Sequence, residues 1–147
     1  MTLQELMELG AISFEHIDIG FSEYNHRVIK LGEKDAISHL KRLREEYGRD
    51  NAFVDFYYFR LDEYAKEEVQ SQLTPVQIAY LDSIKPENVQ EQIVFPLEDI
   101  MLSIIAKLNA TEMLFSTVYF LESKESGKTR TTWWGNYNQE YVCFMDL

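Results

Sequence analysis

Hydrophobic positions along the chain recur with two different periods, and each change of period marks a change of element. Leu3, Leu6 and Met7 form a short helical stripe behind Thr2 and Glu5, a capping-box pair, and Gly10 stands where that helix can end. From Ala11 to Leu31 the period changes: Phe14, Ile17, Ile19 and Phe21 fall largely at strand alternation, and Val28, Ile29 and Leu31 make a second apolar run after Asn25. Two short strands or extended segments are expected there. Helical spacing returns with Ala36, Ile37, Leu40, Leu43 and Tyr47. Asp35 lies in the first turn, Lys41, Arg42 and Arg44 lie later, and Gly48 can close the helix, so a one-faced surface helix is predicted over Glu33–Tyr47.

Past Arg49-Asp50-Asn51, the aromatic and β-branched run Phe53–Phe59 reads as a strand covered on most of both faces. Tyr64, Ala65, Val69 and Leu73 give a weakly apolar helix within Asp62–Leu73. Thr74-Pro75 is an N-cap followed by proline at the first helical position, starting another short helix through Ile84 that Pro86 stops. Val89–Phe95 is expected as a strand. Pro96 then precedes Leu97, Ile100, Met101, Ile104, Ile105 and Leu108, the most apolar helix of the chain, with Glu98 and Asp99 at its start and Lys107 near its end as the helix dipole favours.

The last third reads as three consecutive antiparallel strands. Thr111–Leu121 is apolar on both alternating faces, Ser123–Lys128 is a polar turn, and Thr129–Trp134 and Glu140–Met145 alternate around Asn136-Tyr137-Asn138. A strand apolar on both faces belongs inside a covered sheet. The predicted architecture is therefore α+β, one globular domain over residues 1–147. Its antiparallel sheet combines this C-terminal three-strand meander with the Phe53–Phe59 strand, and amphipathic helices pack upon it. The aromatic strands that follow the two clearest helices share only a Tyr-Phe ending, so no repeat is inferred, and no Gly/Ser/Pro-rich linker divides the chain.

Composition narrows the function more than it names it. Hydrophobic residues make up 46% of the 147 and aromatics 14%, which excludes the disordered and low-complexity classes. No basic and apolar leader opens the sequence and no apolar run approaches a membrane span; with a single cysteine, Cys143, a cytoplasmic protein is expected. The formal net charge is −11. Only residues 27–49 oppose it, with seven bases against four acids. Such a charge repels phosphate backbones and anionic lipid, so neither nucleic acid nor membrane is expected as a partner; a basic protein is the better fit.

No catalytic signature stands out, and no cofactor or metal is expected. His16, His26 and His39 are not at the spacing of a helical metal pair, one cysteine supplies no thiolate cluster, and the six glycines are isolated rather than gathered into a phosphate loop. Cys143, between Val142 and Phe144, lacks the electropositive neighbours of a reactive thiol. The basic residues Arg27, Lys30, Lys34, Lys41, Arg42, Arg44 and Arg49 read as the solvated face of a helix and its approach. Trp133 and Trp134 carry more information. In a regular strand they point to opposite faces, so one indole fills the core and the other needs its own cover, from the chain, from a second copy in a homodimer, or from a partner.

Two functions follow as expectations. The first is a non-catalytic acidic protein-binding domain, with the profile an immunity-type or regulatory protein neutralising a basic partner would have, and with Trp133, Trp134, Tyr137 and Tyr141 at its interface. The second is a small metal-independent enzyme in which His16 or His26 meets Asp18, Asp55 or Asp62 beside Tyr57, Tyr58 and Arg60.

Overall fold

The computed structural model describes residues 1–147, and its fold is α+β. Six helices, α1 (Leu3–Glu8), α2 (Ile17–Glu23), α3 (Glu33–Tyr47), α4 (Glu63–Gln70), α5 (Pro75–Ser83) and α6 (Asp99–Ala110), accompany six strands. The strands are β1 (Asn25–Lys30), β2 (Ala52–Asp55), β3 (Val94–Pro96), β4 (Thr117–Phe120), β5 (Thr131–Gly135) and β6 (Glu140–Met145). All belong to one antiparallel sheet in the order β1-β6-β5-β4-β2-β3. The meander β4-β5-β6 occupies its middle and β2 adjoins it, as the hydrophobic pattern predicted. No helix is long and apolar enough to cross a membrane.

Local chemistry accounts for most helix limits. Thr2 and Glu5 close a capping box on α1, Thr74 and Gln77 close another on α5 behind Pro75, and the Asp62 carboxylate accepts from the Ala65 N–H to start α4. Gly48, at φ +97°, ends α3 in a conformation costly for any other residue.

Several boundaries differ from the sequence expectation, each for a tertiary reason. The Ala11–Leu31 region contains one strand rather than two: residues 17–23 form α2, and Gly20 lets that helix close on Phe14 and Phe144, where even a Cβ would come within 2.5 and 2.8 Å. The apparent alternation of Ile17 and Phe21 is an i, i+4 helical pair. Strand pairing in Phe53–Phe59 stops at Asp55, and residues 58–60 form a 3-10 turn because Phe56, Tyr58, Phe59 and Phe95 pack ring against ring. Thr111–Leu121 pairs only over Thr117–Phe120, since residues 111–114 finish α6 and the Asn109 side chain holds the Ser116 N–H. Val89–Phe95 is a strand only from Val94, because the Asn88 carboxamide ties residues 90 and 91 into a turn.

The sheet is covered on both faces. Val54, Val118, Trp133 and Cys143 stand in one row toward α3 and α6. Arg44 of α3, 1% exposed, joins the two helices by donating to the Leu97 carbonyl at 2.9 Å and pairing with Asp99 at 2.7 Å. The opposite face is covered by the first 23 residues, through Leu6, Ala11, Ile12, Phe14 and Ile17. Two long-range bonds pin that cover: Thr132 donates its hydroxyl to the Ile12 carbonyl at 2.7 Å, and Arg130 donates to the Gly10 carbonyl at 2.9 Å.

Gly135 tests how tightly α6 meets the meander. A Cβ there would lie 2.8 Å from Asn109 Nδ2 and 2.9 Å from the Ser116 carbonyl oxygen, the groups that lock the helix end to β4 and β6. Gly135→Ala should therefore destabilise the protein by about 1–3 kcal/mol. Urea unfolding measures this directly, and an unchanged midpoint would show that the helix end yields freely.

Candidate functional site

A concavity lies on the face covered by the N-terminal segment. Antiparallel register brings Asp55 of β2, Thr117 of β4 and Trp134 of β5 into one row, and Tyr119 and Thr132 into the next. The N-terminal cover does not fill the space above these side chains. It leaves a cavity of about 420 Å³, walled on the sheet side by those five residues and on the other by Leu3, Ile12, Ser13, Phe14, Glu15 and Ile17, with Tyr57 and Phe115 completing it. That volume lies within the range of ordinary ligand pockets.

Asp55 is the one buried carboxylate, 5% exposed, in an otherwise apolar strand. Its Oδ1 accepts the Thr117 N–H at 2.8 Å and its Oδ2 accepts the Tyr119 hydroxyl at 3.1 Å. Burial nevertheless dominates these bonds and pushes its pKa up to about 7. Tyr57 is raised to about 12, by burial and then by the Asp55 charge, with Arg60 acting against both; the Arg60 guanidinium lies 5.1 Å from the Tyr57 ring centroid. Tyr119 is raised too, by burial first and then by Asp55. None of the six ion pairs of the chain includes Asp55.

The four residues assigned from sequence to an interface do not share a surface. Trp133 and Tyr141 face α3 and α6 and are buried at 2% and 1% exposure; Trp133 donates to Thr131 Oγ1, and the Tyr141 hydroxyl accepts from Asn109. Trp134 points the other way and lines the cavity. Tyr137, 60% exposed, stands edge-on against Phe115, another cavity wall, at 4.9 Å between centroids. The tryptophans thus alternate as strand geometry requires, and the chain covers one wholly and the other in part.

The histidines of the catalytic expectation do not converge with the carboxylates. His16 precedes α2 and is exposed, His26 lies on edge strand β1 against Phe21, and His39 packs on Trp133 beside Arg42 on the far face of the sheet. Asp62 is used as the α4 cap, Asp18 is exposed on α2, and Tyr58 is in the helix-side core with its hydroxyl accepting from Gln70. Only Asp55 and Tyr57 of that expected set meet in the cavity, with Arg60 outside Tyr57. Cys143 is buried, its thiol pushed up to about 11 by burial. No group of three or more His, Cys, Asp or Glu side chains is arranged to hold a metal ion.

Sequence reasoning missed Tyr119, Thr117 and Phe14 as site residues. An acid, Asp55, inside the aromatic run Phe53–Phe59 was the available signal. No family model matches the chain, and no curated protein or solved structure is similar to it.

The raised carboxyl predicts a pH signature. Asp55 stays protonated in the folded state above its ordinary value of 3.8, so its favourable contribution is complete at low pH and is lost as pH rises through about 7. Asp99, Glu45 and Asp146 act in the opposite sense and at lower pH, because their cationic partners hold them below the usual carboxylate range. Unfolding free energy measured from pH 4.5 to 8 should therefore decline by up to roughly 3 kcal/mol for the native chain and much less for Asp55→Asn. Parallel curves for the two proteins would refute this assignment.

Proposed function

We propose that the chain is a non-catalytic binding domain that recognises a basic protein, with the Asp55 cavity as the anchor of the contact. The observation that carries this reading is a buried carboxyl, without any cation of its own, in the wall of an aromatic cavity. A buried carboxylate is costly unless paired, and a cationic group arriving from outside would supply the pair. The net charge of −11 supports the same partner by steering a basic surface toward the molecule and opposing association of two like copies. Trp134, Tyr57 and Phe115 fit the role of anchor walls, since aromatic side chains in partly desolvated pockets dominate binding energies. An immunity-type or regulatory protein that neutralises a basic partner would use such a site.

One observation favours a second reading. A carboxyl with a pKa near 7, hydrogen-bonded to a phenol in a cavity, suits proton transfer at neutral pH, which a small metal-independent enzyme would use. The two readings part on turnover: a ligand is recovered altered under the second and unaltered under the first.

The tryptophan pair and the salt dependence test the binding reading together. Trp133→Ala should cost about 3–5 kcal/mol of stability, because it empties the helix-side core. Trp134→Ala should remain folded. Affinity capture with the native chain should recover a basic protein at low salt and less of it at high salt, and Trp134→Ala should recover little at either. A partner held equally by the native chain and Trp134→Ala, or held equally well in strong salt, would count against this function.

A further inference from the structure

We propose that the group received by the Asp55 cavity is the ammonium of a lysine side chain of the partner, in preference to the guanidinium of an arginine. This rests on the reading of the cavity as a cation anchor and adds which cation it is built for. The first argument is acceptor capacity. Each Asp55 oxygen already accepts one bond, Oδ1 from the Thr117 N–H and Oδ2 from the Tyr119 hydroxyl. A guanidinium gains its advantage by donating to both oxygens at once in the carboxylate plane, and here both must take a further donor together. An ammonium is a compact charge with three rotatable donors, so a single remaining lone pair suffices.

The walls make the same distinction. Thr132, whose hydroxyl hydrogen is committed to the Ile12 carbonyl, keeps lone pairs to accept a second ammonium N–H, while the Thr117 hydroxyl is itself directed at the Asp55 carboxylate and takes up more of its acceptor capacity. On Tyr57 the planar stacking that favours arginine is already used by the chain's own Arg60, which lies 5.1 Å from the ring centroid. A lysine stem would instead run along Phe14 and Ile17, with Trp134 beside the charged end, an arrangement that buries methylenes and lets an aromatic face attract the ammonium.

Three capped amino acids test the assignment: Nα-acetyl-lysine methylamide, Nα-acetyl-arginine methylamide and Nα-acetyl-norleucine methylamide. Each is titrated into the native chain while two-dimensional NMR follows the Thr117 amide and the two indole N–H signals. The lysine derivative should bind at least about fivefold more tightly than the arginine derivative. It should move Thr117 and Trp134 and leave the buried Trp133 indole in place. Asp55→Asn, with a dispersed native spectrum, should weaken lysine binding roughly tenfold or more; Trp134→Leu should weaken it as well, so the result does not depend on one variant folding. Arginine binding as tightly as lysine would overturn the lysine assignment and leave the cation anchor standing. Norleucine binding as tightly as either would overturn the anchor itself, and the absence of any shift at Thr117 or Trp134 with all three would overturn both.

Discussion

The constraint on which the molecule depends is that the middle of its sheet is apolar on both sides and must be covered twice. β4 sets this requirement: Val118 and Phe120 face α3 and α6, while Tyr119 faces the N-terminal segment. The helix side is met by the 15 residues of α3 and the 12 of α6, joined by buried Arg44. The other side is met by a segment whose two helices have only six and seven residues. Short helices bury little on their own and depend on docking. Here they dock through Thr132, Arg130 and the contact of Gly20 with Phe14 and Phe144, and the cavity lies where their cover stops short.

Two buried ionisable groups show different solutions to the cost of desolvation. Arg44 keeps its charge because Asp99, Glu45 and the Leu97 carbonyl surround its guanidinium, and it joins two helices that the sequence separates. Asp55 receives only neutral donors, so burial raises its pKa to the edge of neutrality. The first is an internal fastening. The second lowers folded-state stability at the pH where it is ionised, because a buried charge without a cationic partner is costly.

His39, Arg49 and Cys143 have places that their neighbours explain. His39 covers Trp133, Arg49 pairs with Glu45 one turn away, and Cys143 fills a small space between Trp133 and Arg27 in the sheet register. The surface acidity is of a different kind. It is spread over the elements around the cavity, Glu5 and Glu8 on α1, Glu15 before α2 and Asp18 on it among them, and long-range attraction of a cation needs no precise geometry from such charges.

Helices α1, α3, α5 and α6 were legible in the sequence because their signals are local: capping pairs such as Thr2 with Glu5 and Thr74 with Gln77, the glycine stop at Gly48, and apolar positions three and four apart. The opposed directions of Trp133 and Trp134 were equally legible, since strand side chains alternate whatever surrounds them. What the tertiary structure alone decided was non-local. Asp55 meets Thr117 and Tyr119 across more than 60 positions of chain, which no window of sequence contains. The helix at 17–23 depends on Phe144, the edge places of β1 and β3 depend on which strands β6 and β2 left unpaired, and only the inter-strand register placed Trp134 in one row with Asp55, across Thr117. Periodicity tells which side of a strand a residue takes, but the neighbours on that side are set by strand pairing, and pairing is a property of the whole chain.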